Sequence, residues 1–313
     1  MIFLQFSSTA VNVIVMMAYA IPGYIFIKVK AFGQESISAF AKLLLYVCQP
    51  CLSLYSFNKA NYTPELGKSM LVFFVLGIAL QSVMLGVTNF VFRKKYKTDE
   101  SYRVCSVAST LGNVGFIGVP LLEALLPEYP NAIAFSAVFI IGMNIISWTV
   151  GSSILTGDKK YISIKKLLLN PVVIIMFLSV PLFVLRIKLP PLLDNSVSLL
   201  GLMTTPLSML ILGMRLAYAD IKEMLTDFKV YLTAFLKLIA FPLMGMAAVY
   251  FLPVEQYIKA TMVILCCTPT ASAVLSFAEI YKKGQKTAAN LVLTSNMFCI
   301  VTIPFLLMFV NPS

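Results

Sequence analysis

The sequence contains no histidine and only one tryptophan, and charged residues make up 12% of its 313 residues. Without histidine the chain has no imidazole to act as a general base and lacks a ligand that most catalytic zinc sites use. No Asp or Glu lies near the middle of any apolar segment, and no G-x-S-x-G sequence occurs. These absences remove the usual nucleophile, base and metal sites, so we do not expect an enzyme.

The six cysteines do not form a recognisable ligand set either. All lie within or near apolar segments and are expected to be reduced packing residues: Cys48, Cys51, Cys105, Cys266, Cys267 and Cys299. Cys48 and Cys51 have C-x-x-C spacing, but no second pair follows at ligand distance. The sequence therefore predicts no metal and no cofactor.

The sequence is unusually rich in apolar residues. Hydrophobic residues make up 59% of the chain and its mean hydropathy is +0.90, whereas soluble domains average about 45–50% apolar residues. The net charge of +11 is spread between apolar segments, so it indicates membrane topology and not a nucleic-acid partner. No basic residue precedes Lys28, and the first apolar segment is therefore expected to be a retained helix, not a cleaved signal. The sequence predicts a protein whose surroundings are the lipid bilayer.

Each apolar segment can be assessed as a membrane-spanning helix by its length. A hydrocarbon core of ~30 Å needs about 20 residues of helix, and the loops between segments are too short to hold a soluble domain. We predict an all-α protein of ten spans: 8–27, 37–57, 69–92, 104–126, 131–153, 171–187, 195–217, 230–251, 258–280 and 287–310.

The orientation of these spans follows from the basic residues in the loops. Loops on the side of the N-terminus hold 5 Lys and Arg, and the opposite loops, with Arg215 among them, hold 17. Because basic loops stay in the cytoplasm, both termini are expected outside it, at the cell membrane. Lys42 and Lys237 fall inside spans and are expected to extend towards the cytoplasmic interface, with a role in attracting anions as the alternative for either.

Two spans carry residues that weaken a helix. Span four contains "STLGNVGFIGVP" (109–120), with three glycines, an asparagine and a proline within nine residues. Pro269 in span nine lies 156 residues after Asn113, which is also the offset between Pro50 and Pro206 in spans two and seven. The two polar interruptions therefore occupy equivalent places in two halves of the chain.

Each half has five spans, so the second half must enter the membrane from the other side. We predict a first repeat over 1–155, a short cytoplasmic linker over 156–170 and an inverted second repeat over 171–313. Inverted repeats with interrupted helices are typical of secondary transporters, in which the broken helices line the substrate site near the midplane.

The residues in and around these interruptions resemble those of a known family. They are "GNVGFIGVPLL" (112–122), "LLLYVCQPCLSLYSF" (43–57), "NIISWTVGS" (144–152), "NPVVIIMFLSVPLFVL" (170–185) and "LVLTSNMFCIVTIPFLL" (291–307). In order and spacing they are similar to the auxin efflux carrier family of membrane transporters, in its short bacterial form resembling malate and malonate permeases.

The resemblance implies a ten-helix fold in which spans four and nine are broken and cross. Spans 1, 2, 6 and 7 would form a scaffold that can make a homodimer, and spans 3–5 with 8–10 a moving transport domain. Members of the family carry small organic anions such as malate, malonate or auxin. The resemblance also places Gln49 and Ser53 of span two near the substrate.

The chemistry of a broken helix suits such anions. A helix N-terminus carries about half a positive charge and free N–H donors, and an asparagine amide adds two more. We therefore predict substrate binding by Gly112, Asn113, Thr110, Gln49, Ser53, Thr268, Pro269, Thr270, Ser272, Asn144 and Asn296, with helix breaks at Gly115, Gly118 and Pro120. The anion is expected to be held at Asn113 without a full positive charge.

Other interpretations of the same residues stay open. The interruption at Asn113 can be a packing kink, and the hydroxyls around Pro269 can satisfy freed backbone groups in place of substrate. Asn144 and Asn296 can line the site or join helices. We predict a secondary transporter of organic anions, with an anion channel as the alternative. The lack of a mid-membrane carboxylate predicts that no sodium ion is tightly bound.

Overall fold

The computed structural model describes residues 11, 14–219, 224 and 226–310. The chain is 80% helical, and the described residues contain no β-strand apart from one isolated bridge. The helices are α1 (Ile14–Lys28), α2 (Gln34–Lys59), α3 (Pro64–Lys95), α4 (Ser101–Ala108), α5 (Val114–Leu125), α6 (Asn131–Thr156), α7 (Ile164–Leu168), α8 (Pro171–Val184), α9 (Pro191–Leu216), α10 (Phe228–Tyr250), α11 (Gln256–Cys267), α12 (Ser272–Tyr281) and α13 (Gln285–Leu307).

Six of the described helices are long and apolar enough to cross a membrane: α2, α3, α6, α9, α10 and α13. The all-α prediction agrees with this architecture. Residues 8–10, 12 and 13 of the first predicted span lie outside the described residues. Both chain termini also lie outside them. Large apolar side chains such as Leu71, Val75 and Phe90 on α3 and Phe177 on α8 are exposed, as expected for surfaces that face lipid.

Several helices begin where the sequence provides a cap. The Thr63 hydroxyl accepts a hydrogen bond from the Leu66 N–H at 3.1 Å, and the Asn170 side chain accepts one from the Val172 N–H at 2.9 Å. In both places a proline follows the cap, where its missing N–H costs nothing.

Four described helices contain one widened, π-type turn, and in three of them a proline follows. The turns are Leu44–Cys48 before Pro50, Val114–Gly118 before Pro120, Leu236–Ala240 before Pro242, and Ser147–Gly151 with no proline after it. A proline cannot donate to the carbonyl four residues earlier, and a wider turn lets the next N–H reach it.

Close backbone contacts fix α9 against α1 and α2. A Cβ atom on Gly23 of α1 or on Gly213 of α9 would collide with a carbonyl oxygen of the other helix. A Cβ on Gly201 would lie 3.0 Å from the backbone nitrogen of Leu52 in α2. Small residues of this kind allow membrane helices to approach each other closely. Of these three helices, α2 and α9 form one wall of the region described below.

An apolar core surrounds α6. Phe135 is fully buried, and its ring centroid lies 4.8 Å from that of Phe73 on α3 and 6.3 Å from that of Tyr257 on α11. Beside this core the helical path is interrupted twice. Residues 109–113 separate α4 from α5 and are called the first interruption; residues 268–271 separate α11 from α12 and are called the second interruption.

Candidate functional site

The two interruptions contact each other directly. The Asn113 N–H donates a hydrogen bond to the Pro269 carbonyl oxygen at 2.7 Å, and the Ala271 N–H donates one to the Leu111 carbonyl oxygen at 2.9 Å. This antiparallel pairing places Gly112 opposite Thr270. Backbone groups that lie outside a helix must find partners when lipid surrounds the protein, and here each interruption supplies partners for the other.

Threonine and serine side chains satisfy further backbone groups at the second interruption. The Thr270 hydroxyl donates to the Ala108 carbonyl oxygen at 3.1 Å, and the Thr270 N–H donates to the Ser295 hydroxyl oxygen at 3.1 Å. The Thr268 hydroxyl donates to the Leu265 carbonyl oxygen at 2.7 Å. These contacts favour a backbone role for the Thr268 and Thr270 hydroxyls.

The pairing leaves no room for a side chain at Gly112. A Cβ atom there would collide with the Thr268 hydroxyl and would lie 3.2 Å from the Lys237 ammonium nitrogen. The close approach of the two backbones therefore depends on glycine at this position.

Lys237 corrects an expectation drawn from the sequence. It was expected to extend towards the cytoplasmic interface, but its side chain is fully buried. The ammonium donates to the Cys266 carbonyl oxygen at 3.2 Å and lies 4.4 Å from the centroid of the Phe241 ring. Its attraction to the carbonyl end of α11 holds it inward, since cations are stabilised at helix C-termini.

The helices α5 and α12 both begin at a narrow cavity of about 70 Å³. This volume exceeds the roughly 10–15 Å³ that one water needs. The cavity is lined by Ala41, Leu44, Leu45, Gln49, Gly112, Asn113, Val114, Gly115, Phe116, Met143, Ser208, Ile211, Arg215, Ala271, Ser272, Ala273 and Ser276. The first N–H groups of a helix have no acceptor within that helix, so two helix N-termini direct donors and partial positive charge towards one space.

Asn113 is the polar side chain best placed to use this space. The residue is buried, with 4% of its surface exposed, and it lines the narrow cavity. Its backbone is bonded to the second interruption, but its side-chain amide has no hydrogen-bond partner among the described residues. Gln49 of α2 and Ser272 at the start of α12 line the same cavity. The structure thus brings Gln49, Gly112, Asn113 and Ser272 together.

The other predicted site residues lie near this group, but the narrow cavity is not lined by them. Their polar side chains donate to carbonyl oxygens four residues earlier in the chain: Ser53 to Gln49, Thr110 to Ser106, Asn144 to Ile140 and Asn296 to Val292. Pro269 contributes its carbonyl oxygen to the pairing.

The position of the first interruption also differs from the prediction. Gly115, Gly118 and Pro120 were expected to break the helix, yet all three lie within α5. The chain leaves the helical path earlier, over residues 109–113, because Asn113 pairs there with the second interruption. Pro120 is accommodated by the widened turn before it.

A second, wide cavity of about 770 Å³ adjoins the narrow one. It lies at the end of the helices where the loops richest in Lys and Arg are found, between α2 and α9 on one side and α12 and α13 on the other. Four residues line both cavities and form the neck between them: Ala41, Leu45, Arg215 and Ser276.

Arg215 is the residue at this neck that the sequence analysis placed in a loop. It lies one residue before the end of α9, and its Nη1 atom is buried with no hydrogen-bond partner among the described residues. A full positive charge therefore lines the narrow cavity, which the sequence analysis did not expect. The sequence contained one indication of this position. Arg215 follows Ser208 by seven residues, a spacing that places both on one helix face.

Comparison with known proteins agrees with this architecture. A family model described as a membrane transport protein matches residues 6–166 and residues 160–307, which together span nearly the whole chain. A search of the curated proteins finds no match. The chain is a membrane-embedded, multi-pass protein. It belongs to the membrane transport protein family, the family of the auxin efflux carriers.

Proposed function

We propose that this protein is a secondary transporter of small organic anions, with carboxylates held where the two interruptions meet. One observation carries the proposal. Two helix N-termini and the side-chain amide of Asn113, which makes no hydrogen bond among the described residues, face one cavity. Neutral donors and partial positive charge of this kind are suited to a carboxylate.

The membrane topology that we propose has ten crossings. The six long helices supply six, α1 and α8 supply two, and the pairs α4–α5 and α11–α12 supply one each as broken helices that cross at their paired interruptions. The two family matches meet at residues 160–166, inside the linker 156–170. This boundary supports two halves, 1–155 and 171–313, related as inverted repeats.

We further propose that α1, α2, α8 and α9 form a scaffold through which two copies dimerise, and that the remaining membrane helices move as a transport domain. Both cavities lie at the junction of these groups, because their linings combine residues of α2 and α9 with residues of α12. Relative movement at this junction would expose the narrow cavity to one side of the membrane and then to the other.

At the far end of the same junction, one hydrogen bond joins α2 to α5. The Tyr55 hydroxyl of α2 donates to the Glu123 carboxylate of α5 at 3.0 Å. The wide cavity lies at the opposite end, towards the basic loops. This difference between the ends supports alternating access over the alternative of an anion channel, which would need a continuous path.

The proposed function is tested by flux and binding with purified full-length protein. Malonate, malate, acetate and indole-3-acetate serve as probes in proteoliposomes. A carrier is expected to show saturable uptake and counterflow of labelled acid against unlabelled acid trapped inside. Flux that rises without saturation and shows no counterflow would support the channel, and absence of both binding and flux for every acid would contradict organic-anion transport.

We predict that both termini lie outside the cytoplasm. The loops that would then be cytoplasmic hold 17 basic residues, against 5 in the others, and basic residues retain loops in the cytoplasm. Alkaline phosphatase fused to the C-terminus is expected to be active, and a green fluorescent protein fusion dark. The reverse result would contradict the predicted placement of the C-terminus outside the cytoplasm.

Transport is also predicted to respond to membrane potential and to be indifferent to sodium. No Asp or Glu lies near the middle of a predicted span to bind Na⁺, and a carried anion moves charge worth ~2.3 kcal/mol per 100 mV. Proteoliposome flux is measured with an imposed potassium-diffusion potential, with sodium and with choline as its replacement. Strict dependence on sodium would show that the prediction is wrong.

A further inference from the structure

We infer that Arg215 is the cationic ligand of the transported anion, placed at the neck through which the anion passes between the wide and the narrow cavity. The inference rests on the proposed transport function and adds a specific charged group to its site. It differs from the interpretation drawn from the sequence, in which neutral donors alone hold the anion.

The position of Arg215 is the first argument. It lines both cavities, as do only three other described residues, Ala41, Leu45 and Ser276. Those three carry no charge, so Arg215 is the sole cation of the described neck. An anion that moves from the wide cavity to Asn113 must pass this guanidinium.

The second argument is that Arg215 makes no salt bridge among the described residues, since Glu279 acts on its charge only from beyond salt-bridge distance. It forms no ion pair with a carboxylate of the described residues, and its Nη1 atom is buried without a hydrogen-bond partner among them. Glu279 also lines the wide cavity, but it makes no salt bridge with Arg215. A buried guanidinium nitrogen without a hydrogen-bond partner destabilises the folded protein. Such a destabilising group is expected where a bound ligand supplies the missing partner.

The chemistry of the group defines the ligand. A guanidinium presents planar, paired N–H donors that match the two oxygens of a carboxylate, which an ammonium cannot do. The donors at Asn113 and at the starts of α5 and α12 are neutral or carry partial charge only. Arg215 would therefore select for ionised carboxylates over uncharged molecules of the same shape.

The experiment compares an acid with its uncharged analogue. The acid from the panel above that binds the parent protein most tightly is titrated, beside its amide, against Arg215→Gln, Arg215→Lys and Arg93→Gln. Arg93 is exposed on the surface and stacks on Phe90, so Arg93→Gln is the matched control. We expect Arg215→Gln to weaken acid binding roughly 10- to 100-fold and to leave amide binding unchanged. Arg215→Lys should recover part of the loss.

The possible results separate this inference from the proposed function. If the parent binds none of the acids, organic-anion transport fails. If the parent binds and folded Arg215→Gln binds the same acid within twofold, only the role of Arg215 fails. Should Arg215→Gln not fold, the parent is treated with phenylglyoxal and its peptides are analysed by mass spectrometry. Bound acid is expected to protect Arg215 and not Arg93, and equal modification of Arg215 with and without acid would overturn the inference.

Discussion

Replacing Asn113 with alanine is expected to weaken binding of the transported acid by about 1–3 kcal/mol, which is roughly 5- to 150-fold in affinity. The residue is buried and its amide faces the narrow cavity without a partner among the described residues. Its structural contact with Pro269 is made by the backbone N–H, so alanine keeps that contact and the fold. Asn113→Asp should bind more weakly still, because a carboxylate would then face the bound carboxylate.

Isothermal titration of the purified variants measures this effect, with size-exclusion profiles as the test of folding. Asn89→Ala is the matched control: the Asn89 side chain accepts a hydrogen bond from Tyr96 at 2.9 Å and lines neither cavity. The control should bind like the parent. If folded Asn113→Ala and Asn113→Asp also bind like the parent, the first interruption is only a kink and the substrate lies elsewhere.

The approximate places of the two interruptions could be predicted because they depend on local chemistry. Pro269 removes a backbone donor wherever it occurs, and a cluster of glycines weakens a helix without reference to the rest of the fold. The matching offset between the halves added a second, independent indication. What local chemistry could not give was the register, since the chain leaves the helix at residues 109–113 through pairing with a segment more than 150 positions away.

The charged groups beside the site could not be located from the sequence for a similar reason. Arg215 and Lys237 both lie in helices that border the basic loops, where long basic side chains usually extend to water. Both side chains instead lie inside the protein because of contacts between distant helices. The Lys237 ammonium contacts the carbonyl end of α11, and Arg215 lines the neck between the two cavities. Only the packing of distant helices creates these features.

The two interruptions also contribute differently to their shared contact. Pro269 has no N–H and offers only a carbonyl oxygen, which accepts from Asn113. Gly112 has no side chain, and the Thr268 hydroxyl and the Lys237 ammonium occupy the space beside it. The two interruptions are therefore complementary in chemistry. An arrangement this close predicts strong sensitivity to added volume on the glycine side.

Gly112→Ala is accordingly expected to impair transport, and Gly112→Leu to abolish it. The added Cβ would collide with the Thr268 hydroxyl and approach the Lys237 ammonium to 3.2 Å. Overpacking of this kind costs about 1–3 kcal/mol for one methyl group and more for larger side chains. Displacing Gly112 would also shift Asn113, which follows it directly. Initial rates of acid uptake in proteoliposomes, at matched protein content, measure the loss.

Gly86→Ala provides the matched control, since a Cβ at Gly86 of α3 would meet no atom within 4 Å and alanine favours a helix. It should transport like the parent. The double variant Gly112→Ala with Thr268→Ala removes the colliding hydroxyl and is expected to recover part of the activity that Gly112→Ala loses. Parent-like uptake by Gly112→Ala alone would show that the close pairing of the interruptions is not needed for transport, and recovery in the double variant would locate the defect at the contact between Gly112 and Thr268.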